Sequence, residues 1–139
     1  MRGREEVSRG QGKAIVEDLA GGGRPVLLVS GGEALVREDL AELASYAVGR
    51  GMRAVISTNG TLISKAKAAE LKRVGLSYEG ISLDGGEEVH DRSRAVPGAY
   101  KKAMQGIENS QAERPKARRR FTITRRSAGE ARNDFQLVE

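Results

Sequence analysis

Residues 25–33 read Pro-Val-Leu-Leu-Val-Ser-Gly-Gly-Glu, an apolar run that ends in small polar groups. The same change recurs twice: residues 54–61 read Ala-Val-Ile-Ser-Thr-Asn-Gly-Thr, and residues 80–85 read Gly-Ile-Ser-Leu-Asp-Gly. Short apolar runs of this kind are typical of strands that are covered on both faces of a parallel sheet. Since α/β proteins bind small ligands at the carboxyl edge of such sheets, the three polar signatures predict a ligand site there.

Length and composition favour one globular domain spanning residues 1–139. Of the 139 residues, 38% are hydrophobic and 31% are charged, and the net charge is +5. A chain of this size buries roughly 68% of the surface of its unfolded state, enough for one core. Its apolar runs are far shorter than the roughly 20 residues of a membrane span, and its charged N-terminus lacks the apolar segment of a secretory signal. We therefore expect a cytoplasmic protein with no membrane partner.

Helical patterns alternate with strand patterns along the chain. Apolar spacing and glycine stops predict helices over residues 5–19, 38–50, 64–74, 97–109 and 131–138. Apolar and β-branched runs predict strands over residues 25–29, 53–57, 78–83 and 121–124. Strands separated by helices form right-handed crossovers, so we expect an α/β fold with a mostly parallel sheet. A complete eight-stranded barrel takes about 250 residues, so four strands indicate an open sheet or a partial TIM-type barrel.

The three signatures carry a resemblance to a known family. The segments at residues 29–35, 56–63 and 80–85 resemble the core of radical S-adenosylmethionine (radical SAM) enzymes, especially the subgroup that modifies tetrapyrroles or peptides. The His-Asp-Arg-Ser-Arg segment at 90–94 and the Gly-Ala-Tyr segment at 98–100 extend the resemblance, and residues 121–124 resemble the next barrel strand. The resemblance implies reductive cleavage of S-adenosylmethionine to a 5′-deoxyadenosyl radical, which abstracts hydrogen from a substrate.

The resemblance also implies where the cofactor binds. The ammonium of S-adenosylmethionine needs acceptors, and its ribose needs hydroxyl or carboxylate partners. Glycine allows close backbone approach, and the family's Gly-Gly-Glu segment binds the methionine amine. Period-two alternation predicts that Ser82 and Asp84 share one face of their strand, opposite Ile81 and Leu83. The candidate cofactor-binding residues are Gly31, Gly32, Glu33, Ser57, Thr58, Asn59, Ser82 and Asp84.

Plainer structural roles stay open for several of these positions. Gly31 and Gly32 also suit a tight turn between strand and helix, and Asn59-Gly60 is an ordinary turn dipeptide. His90, the only histidine, suggests acid–base chemistry, but beside Asp91 in an expected loop a capping or loop-ordering role fits better. Arg94 is expected either to hold a carboxylate, of a substrate or of Asp91, or to be a solvated loop charge.

The chain departs from the family at the iron–sulfur cluster. The family's Cys-x-x-x-Cys-x-x-Cys loop follows the first strand, and its thiolates hold three irons of a four-iron cluster. This chain contains no cysteine, and by the family's order the loop would precede Met1. Ala34 also replaces the proline that usually follows Gly-Gly-Glu. We therefore expect a truncated core that has no catalytic residues and is inactive alone. Within it, residues 1–24 are expected to form a first helix and linker, residues 25–124 the motif-bearing βα repeats, and residues 125–139 a terminal helix.

Two functions of other classes stay open. A half barrel exposes two sheet edges, which favour self-association or pairing with a complementing half barrel. Basic residues also crowd around Phe121, and such a cluster favours phosphate contacts with nucleic acid. Only 4% of the residues are aromatic, however, so stacking platforms for bases are scarce. The basic residues are Arg114, Lys116, Arg118, Arg119, Arg120, Arg125 and Arg126.

Overall fold

A parallel sheet with helices between its strands forms the described part of the chain. The computed structural model describes residues 6–23, 25–113 and 117–121. Within them the strands are β1 (Val26–Val29), β2 (Arg53–Thr58), β3 (Tyr78–Leu83) and β4 (Ala117–Phe121), in the spatial order β1-β2-β3-β4. The helices are α1 (Arg9–Ala20), α2 (Leu40–Gly49), α3 (Lys65–Val74), α4 (Glu87–Arg94) and α5 (Ala99–Glu113), with a short 3₁₀ helix at Ala34–Val36. The predicted α/β class and four-stranded parallel sheet are confirmed.

Local capping explains two of the helix boundaries. The first helix, expected from residue 5, begins at Arg9, because Ser8 and Gln11 form a capping box in which each side chain bonds the other residue's backbone N–H. Helix α3 begins after Ser64, whose hydroxyl accepts a hydrogen bond from Lys67 N at 3.1 Å. Side-chain oxygens that cap backbone N–H groups are typical starts of helices.

Helix α4 corrects the predicted loop between the third strand and the next helix. Residues 87–94 read Glu-Glu-Val-His-Asp-Arg-Ser-Arg and contain one aliphatic residue, so hydrophobic spacing gave no signal. Two acids lie in its first turn and two arginines in its last, a distribution that complements the helix dipole. The following helix, expected from residue 97, begins at Ala99.

The C-terminal predictions fall partly outside the described residues. The strand expected over residues 121–124 is found earlier, as β4, and residues 122–124 lie outside the described part. The terminal helix expected over 131–138, and the 125–139 segment as a whole, also lie outside it. None of the described helices has the length and apolar character needed to cross a membrane.

The core lies between one face of the sheet and the helices. Buried residues of β2 and β3 pack in one cluster with helices α2, α3 and α5, and its members include Ala44, Ala54, Ile56, Leu71, Ile81, Leu83 and Ile107. Side chains alternate between the two faces of a strand, so the intervening positions belong to the other face. On that face Val26 and Leu28 of β1 are each 54% exposed. We call this surface the open face and define it by Val26, Leu28, Val55, Ser57 and Ser82.

Helix α5 approaches the loop after β2 closely. A Cβ placed on Gly106 would lie 2.1 Å from the carbonyl oxygen of Gly60, so only glycine fits there. Gly60 itself has a φ of 79°, a conformation that side chains disfavour. Asn109 Nδ2 donates a hydrogen bond to the Ile63 carbonyl at 2.8 Å in the same contact. These contacts fix the loop that follows Thr58 at the end of β2.

A buried carboxyl also links α5 to the sheet. Glu79 of β3 is 1% exposed, and its Oε1 accepts a hydrogen bond from Ser110 Oγ at 2.8 Å. A buried polar group requires such a partner, because it has lost its hydrogen bonds to water. The pair therefore fixes α5 against the strand that carries the third polar signature.

Candidate functional site

The three polar signatures meet at the carboxyl edge of the sheet. β1, β2 and β3 are parallel neighbours, and their register pairs Val29 with Ile56 and Thr58 with Ile81. The residues that follow each strand therefore leave the sheet at one edge. The sequence prediction that these signatures form one edge agrees with this topology.

The Glu33 carboxylate joins the first signature to the second. Its Oε1 accepts hydrogen bonds from Thr58 Oγ1 at 2.6 Å and from Leu35 N at 3.0 Å. Its Oε2 accepts a hydrogen bond from Asn59 N at 2.8 Å. Glu33 is half-buried and caps the 3₁₀ helix that follows it. The end of β2 is thus bound to the turn after β1 by two hydrogen bonds to one side chain.

The second signature is braced internally as well. Thr58 is 3% exposed, and its hydroxyl accepts a hydrogen bond from Gly60 N at 3.1 Å while it donates to Glu33. Asn59 Oδ1 accepts hydrogen bonds from Thr61 N at 2.9 Å and from Thr61 Oγ1 at 2.8 Å. A side chain that bonds the backbone two residues on is an Asx turn. The turn role that the sequence left open for Asn59 is therefore present.

The backbone of Gly31 and Gly32 is open to solvent at the same edge. Both residues are exposed, and no atom lies within 4 Å of a Cβ placed on either of them. With Ser30 and Glu33 they line a groove of about 470 Å³. The groove leaves room for a ligand directly against the main chain, as close backbone approach requires.

Asp84 of the third signature is held by helix α4. It follows the last residue of β3, is 8% exposed, and its Oδ2 accepts a hydrogen bond from Ser93 Oγ at 3.1 Å. Arg94 contacts both carboxylate oxygens, with Nε 2.7 Å from Oδ2 and Nη2 3.2 Å from Oδ1. Two-point pairing of this kind is the strong form of an arginine–carboxylate contact. Arg94 thus binds Asp84, and the alternatives of Asp91 or a solvated charge are wrong.

His90 has an ordering role inside helix α4, where the sequence pattern predicts a loop. It is 1% exposed, and its Nδ1 accepts a hydrogen bond from Asp84 N at 3.1 Å. Its ring meets Tyr100 edge-on, with centroids 6.0 Å apart. Burial lowers the pKa of His90, outweighing the nearby carboxylate of Asp84. The imidazole is therefore neutral near pH 7 and fixes the Asp84 backbone.

Asp91 caps the following helix. Its Oδ2 accepts a hydrogen bond from Gly98 N at 2.6 Å, and its Oδ1 accepts one from Tyr100 N at 2.8 Å. These backbone hydrogen bonds lower the pKa of Asp91. Sequence reasoning missed this use of the His-Asp-x-x-Arg segment as a brace between β3, α4 and α5. Capping side chains usually stand directly before the helix that they cap, so local sequence carries no signal for a cap from the preceding helix.

The donor set of the chain does not fit an iron–sulfur cluster. The full sequence contains no cysteine. Among the residues that the structure describes, no group of three or more His, Asp or Glu side chains is placed to hold a metal ion. S-adenosylmethionine does fit, since open glycine backbone and the partly exposed hydroxyl residues Ser57 and Ser82 lie along one edge.

Most of the chain matches a known protein family. The family model described as the Radical SAM superfamily matches residues 2–123. Among curated proteins, the Fe-coproporphyrin III synthase of Methanosarcina barkeri is 51% identical over 96% of this chain. The AdoMet-dependent heme synthase of Oleidesulfovibrio alaskensis is 36% identical, and the pre-heme d1 synthase of Dinoroseobacter shibae is 37% identical, each over 96% of this chain. The chain covers 34%, 35% and 32% of these three proteins, about a third of their length.

Solved structures share the fold. The structure described as "Native anSMEcpe with bound AdoMet and Cp18Cys peptide" superimposes with a TM-score of 0.75 at 19% sequence identity. The match covers 96% of this chain and 40% of that chain. A second structure, "Native anSMEcpe with bound AdoMet", gives a TM-score of 0.72 at 20% identity. The four-stranded sheet therefore has the same fold as part of a larger barrel.

Proposed function

Because the chain belongs to the radical SAM superfamily, we propose that it binds S-adenosylmethionine (AdoMet) at the carboxyl edge of its sheet. The observation that carries this proposal is the convergence of three polar signatures beside the open backbone of Gly31 and Gly32. The shared fold with structures described as containing bound AdoMet supports it.

The proposed site divides into backbone, hydroxyl and braced groups. Gly31 and Gly32 offer main-chain contacts in the groove, and Ser57 and Ser82 lie on the open face. The carboxylate of Asp84 is already paired with Arg94 and bonded by Ser93, so in this proposal it fixes the end of β3 beside the ligand. The full set that we propose to form the site, by contact with the ligand or by fixing the groups that make such contact, is Gly31, Gly32, Glu33, Ser57, Thr58, Asn59, Ser82 and Asp84.

The chain's own residues bind and orient the cofactor in this proposal. When bound, S-adenosylmethionine supplies the adenosyl group that the family uses to abstract hydrogen from a substrate. Because the donor set does not fit the cluster, we assign no cleavage step to this chain and propose that it is inactive by itself.

We further propose that the parent reaction is tetrapyrrole maturation. Three relatives whose names refer to haem or coproporphyrin are 36–51% identical over 96% of the chain. A PqqA peptide cyclase of Rhodopseudomonas palustris is 33% identical over 74% of it. The longer and closer similarity favours the tetrapyrrole class over the peptide class.

Calorimetric titration of the purified chain with S-adenosylmethionine tests the proposed site. A leucine at position 32 places bulk against the open backbone, and since Gly32 is exposed and no atom lies within 4 Å of its added Cβ, we expect the fold to be kept. We expect Gly32→Leu to weaken binding by at least about tenfold. Gly49→Leu is the matched control, because Gly49 is equally open but ends helix α2 shortly before β2 begins, away from the carboxyl edge of the sheet.

The control variant should bind as the wild type does. Equal affinities for wild type and Gly32→Leu would contradict the placement of the site. An absence of binding to the wild-type chain would contradict the proposed function itself.

A further inference from the structure

We propose that Glu33 is a positioning residue, whose carboxylate holds the loop after β2 in place, and that it does not serve as the acceptor for the cofactor's ammonium. The proposal rests on the cofactor site proposed above. It differs from the role that the family resemblance implies for this segment, and it follows from the contacts of one side chain.

The Glu33 carboxylate is largely occupied within the protein. Oε1 accepts two hydrogen bonds, from Thr58 Oγ1 at 2.6 Å and from Leu35 N at 3.0 Å, which use both of its acceptor positions. Oε2 accepts one, from Asn59 N at 2.8 Å. Hydrogen bonds to an ionised group are the stronger class, so turning the carboxylate toward a ligand sacrifices strong contacts.

The contacts of Glu33 continue into the packed interior. Thr58 is 3% exposed, and its hydroxyl donates a hydrogen bond to Glu33 and accepts one from the Gly60 N–H. Gly60 in turn lies against Gly106 of helix α5, where a Cβ has no room. The carboxylate therefore stands at one end of a continuous set of contacts that runs from the turn after β1 to α5.

Loss of this set of contacts changes the geometry of the binding edge. Gly31 and Gly32 precede Glu33 directly, and Ser57 precedes Thr58, so the bond between Glu33 and Thr58 sets the spacing between the two signatures. Groups held before the ligand arrives bind it with a smaller entropy cost. A positioning role thus predicts that ligands weaken together, whatever their charge.

Two ligands separate this role from direct contact with the ammonium. S-adenosylmethionine carries the amino-acid group, whereas 5′-methylthioadenosine keeps the adenosine and lacks it. We expect Glu33→Gln to weaken both ligands by about tenfold, the change expected when a charge-assisted hydrogen bond is lost. The amide keeps one acceptor oxygen but turns an NH₂ group toward a backbone donor. Glu38→Gln is the matched control, because Glu38 is exposed and should leave both affinities unchanged.

Substitutions of Thr58, the partner of Glu33, break the same hydrogen bond without changing the charge of the site. Thr58→Val keeps the shape of the side chain but has no hydroxyl, and we expect it to weaken both ligands as Glu33→Gln does. Thr58→Ser restores the hydroxyl and should rescue both affinities to near the wild-type values. The double variant Glu33→Gln, Thr58→Val should bind no more weakly than the weaker single variant, since residues joined by one hydrogen bond do not act additively.

Amide hydrogen exchange gives a readout that does not depend on ligand. In Glu33→Gln and Thr58→Val we expect faster exchange at the N–H groups of Asn59 and Gly60, and Glu38→Gln should leave them unchanged. If Glu33→Gln weakens S-adenosylmethionine alone, and Thr58→Val binds as the wild type, the positioning role is wrong. If the wild-type chain binds neither ligand, the proposed function is wrong. The positioning role is tested separately by amide exchange, and unchanged exchange at Asn59 and Gly60 in Glu33→Gln would overturn it.

Discussion

The imidazole of His90 is the only one in the sequence, and the fold keeps it from water. It accepts a hydrogen bond from the backbone of Asp84, a role that requires the unprotonated Nδ1. A protonated ring offers only donors, so protonation breaks this contact. One buried side chain thereby makes the arrangement of the third strand end sensitive to pH.

The stability of the chain should fall as the pH is lowered through the titration of His90. Burial lowers the folded pKa of His90 below its ordinary value of about 6.5. Between the folded pKa and about 6.5 the unfolded chain binds more protons, so the free energy of unfolding decreases with falling pH. Denaturant unfolding at several pH values between about 7 and 5 measures this slope.

His90→Asn is the variant that isolates the effect. Its side-chain oxygen can still accept the hydrogen bond from Asp84 N but does not titrate, so we expect a flatter pH dependence. The pKa of Asp91 is lowered in the folded chain, so its ionised form stabilises the fold at pH values above its ordinary pKa. This stabilisation is lost only at more acidic pH and does not affect the pH range in which His90 titrates. A slope in His90→Asn equal to that of the wild type would contradict the assignment.

At the scale of elements, helix α5 depends on a glycine at its closest contact. Gly106→Ala places a Cβ 2.1 Å from the Gly60 carbonyl oxygen, so the helix or the loop has to move. We expect a loss of about 1–3 kcal/mol in the free energy of unfolding, the usual cost of overpacking, although alanine is the better helix former. Urea unfolding measures the change.

Gly10→Ala is the control for this prediction. Gly10 lies in helix α1 with no atom within 4 Å of an added Cβ, so only helix propensity changes there. We expect it to be neutral or to stabilise the chain by up to about 1 kcal/mol. Similar stabilities for Gly106→Ala and Gly10→Ala would show that the close approach is relaxed in solution.

The elements differ in how far the sequence predicts them. The strand over residues 78–83 is found at the predicted bounds, because apolar residues bounded by turn signals leave few alternatives. Helix α4 was missed because its residues are polar and its stability comes from charge placement and from contacts with Asp84. The bond between Glu33 and Thr58 joins residues 25 positions apart, so it depends on strand register, which local patterns do not contain.

At the scale of the whole molecule, the absence of cysteine bears on the radical chemistry of the family. With no thiolate ligands in the sequence, the chain cannot hold a four-iron cluster of the family's kind. We expect no 5′-deoxyadenosine from S-adenosylmethionine after anaerobic reconstitution with iron, sulfide and a reductant. Mass spectrometry of the reaction mixture measures it, with a cysteine-containing radical SAM enzyme treated in parallel. Product above the protein-free blank would contradict this expectation.

Several expectations about the whole chain stay predictions. A single domain over residues 1–139, a cytoplasmic location and self-association through the outer strands β1 and β4 are among them. Phosphate binding by the basic residues is another, because their side chains lie outside the described residues. The backbone register does place Arg118 beside Gly80 and Arg120 beside Ser82.

The order of the strands has a consequence for folding. Each of the four described strands pairs only with strands adjacent to it in the chain, so each βα repeat adds one strand at an edge of the sheet. Chains built from nearest-neighbour contacts resemble repeat proteins, whose stability is close to a sum over repeats and their interfaces. We therefore expect a change at an outer strand, β1 or β4, to leave the order of the remaining strands unchanged.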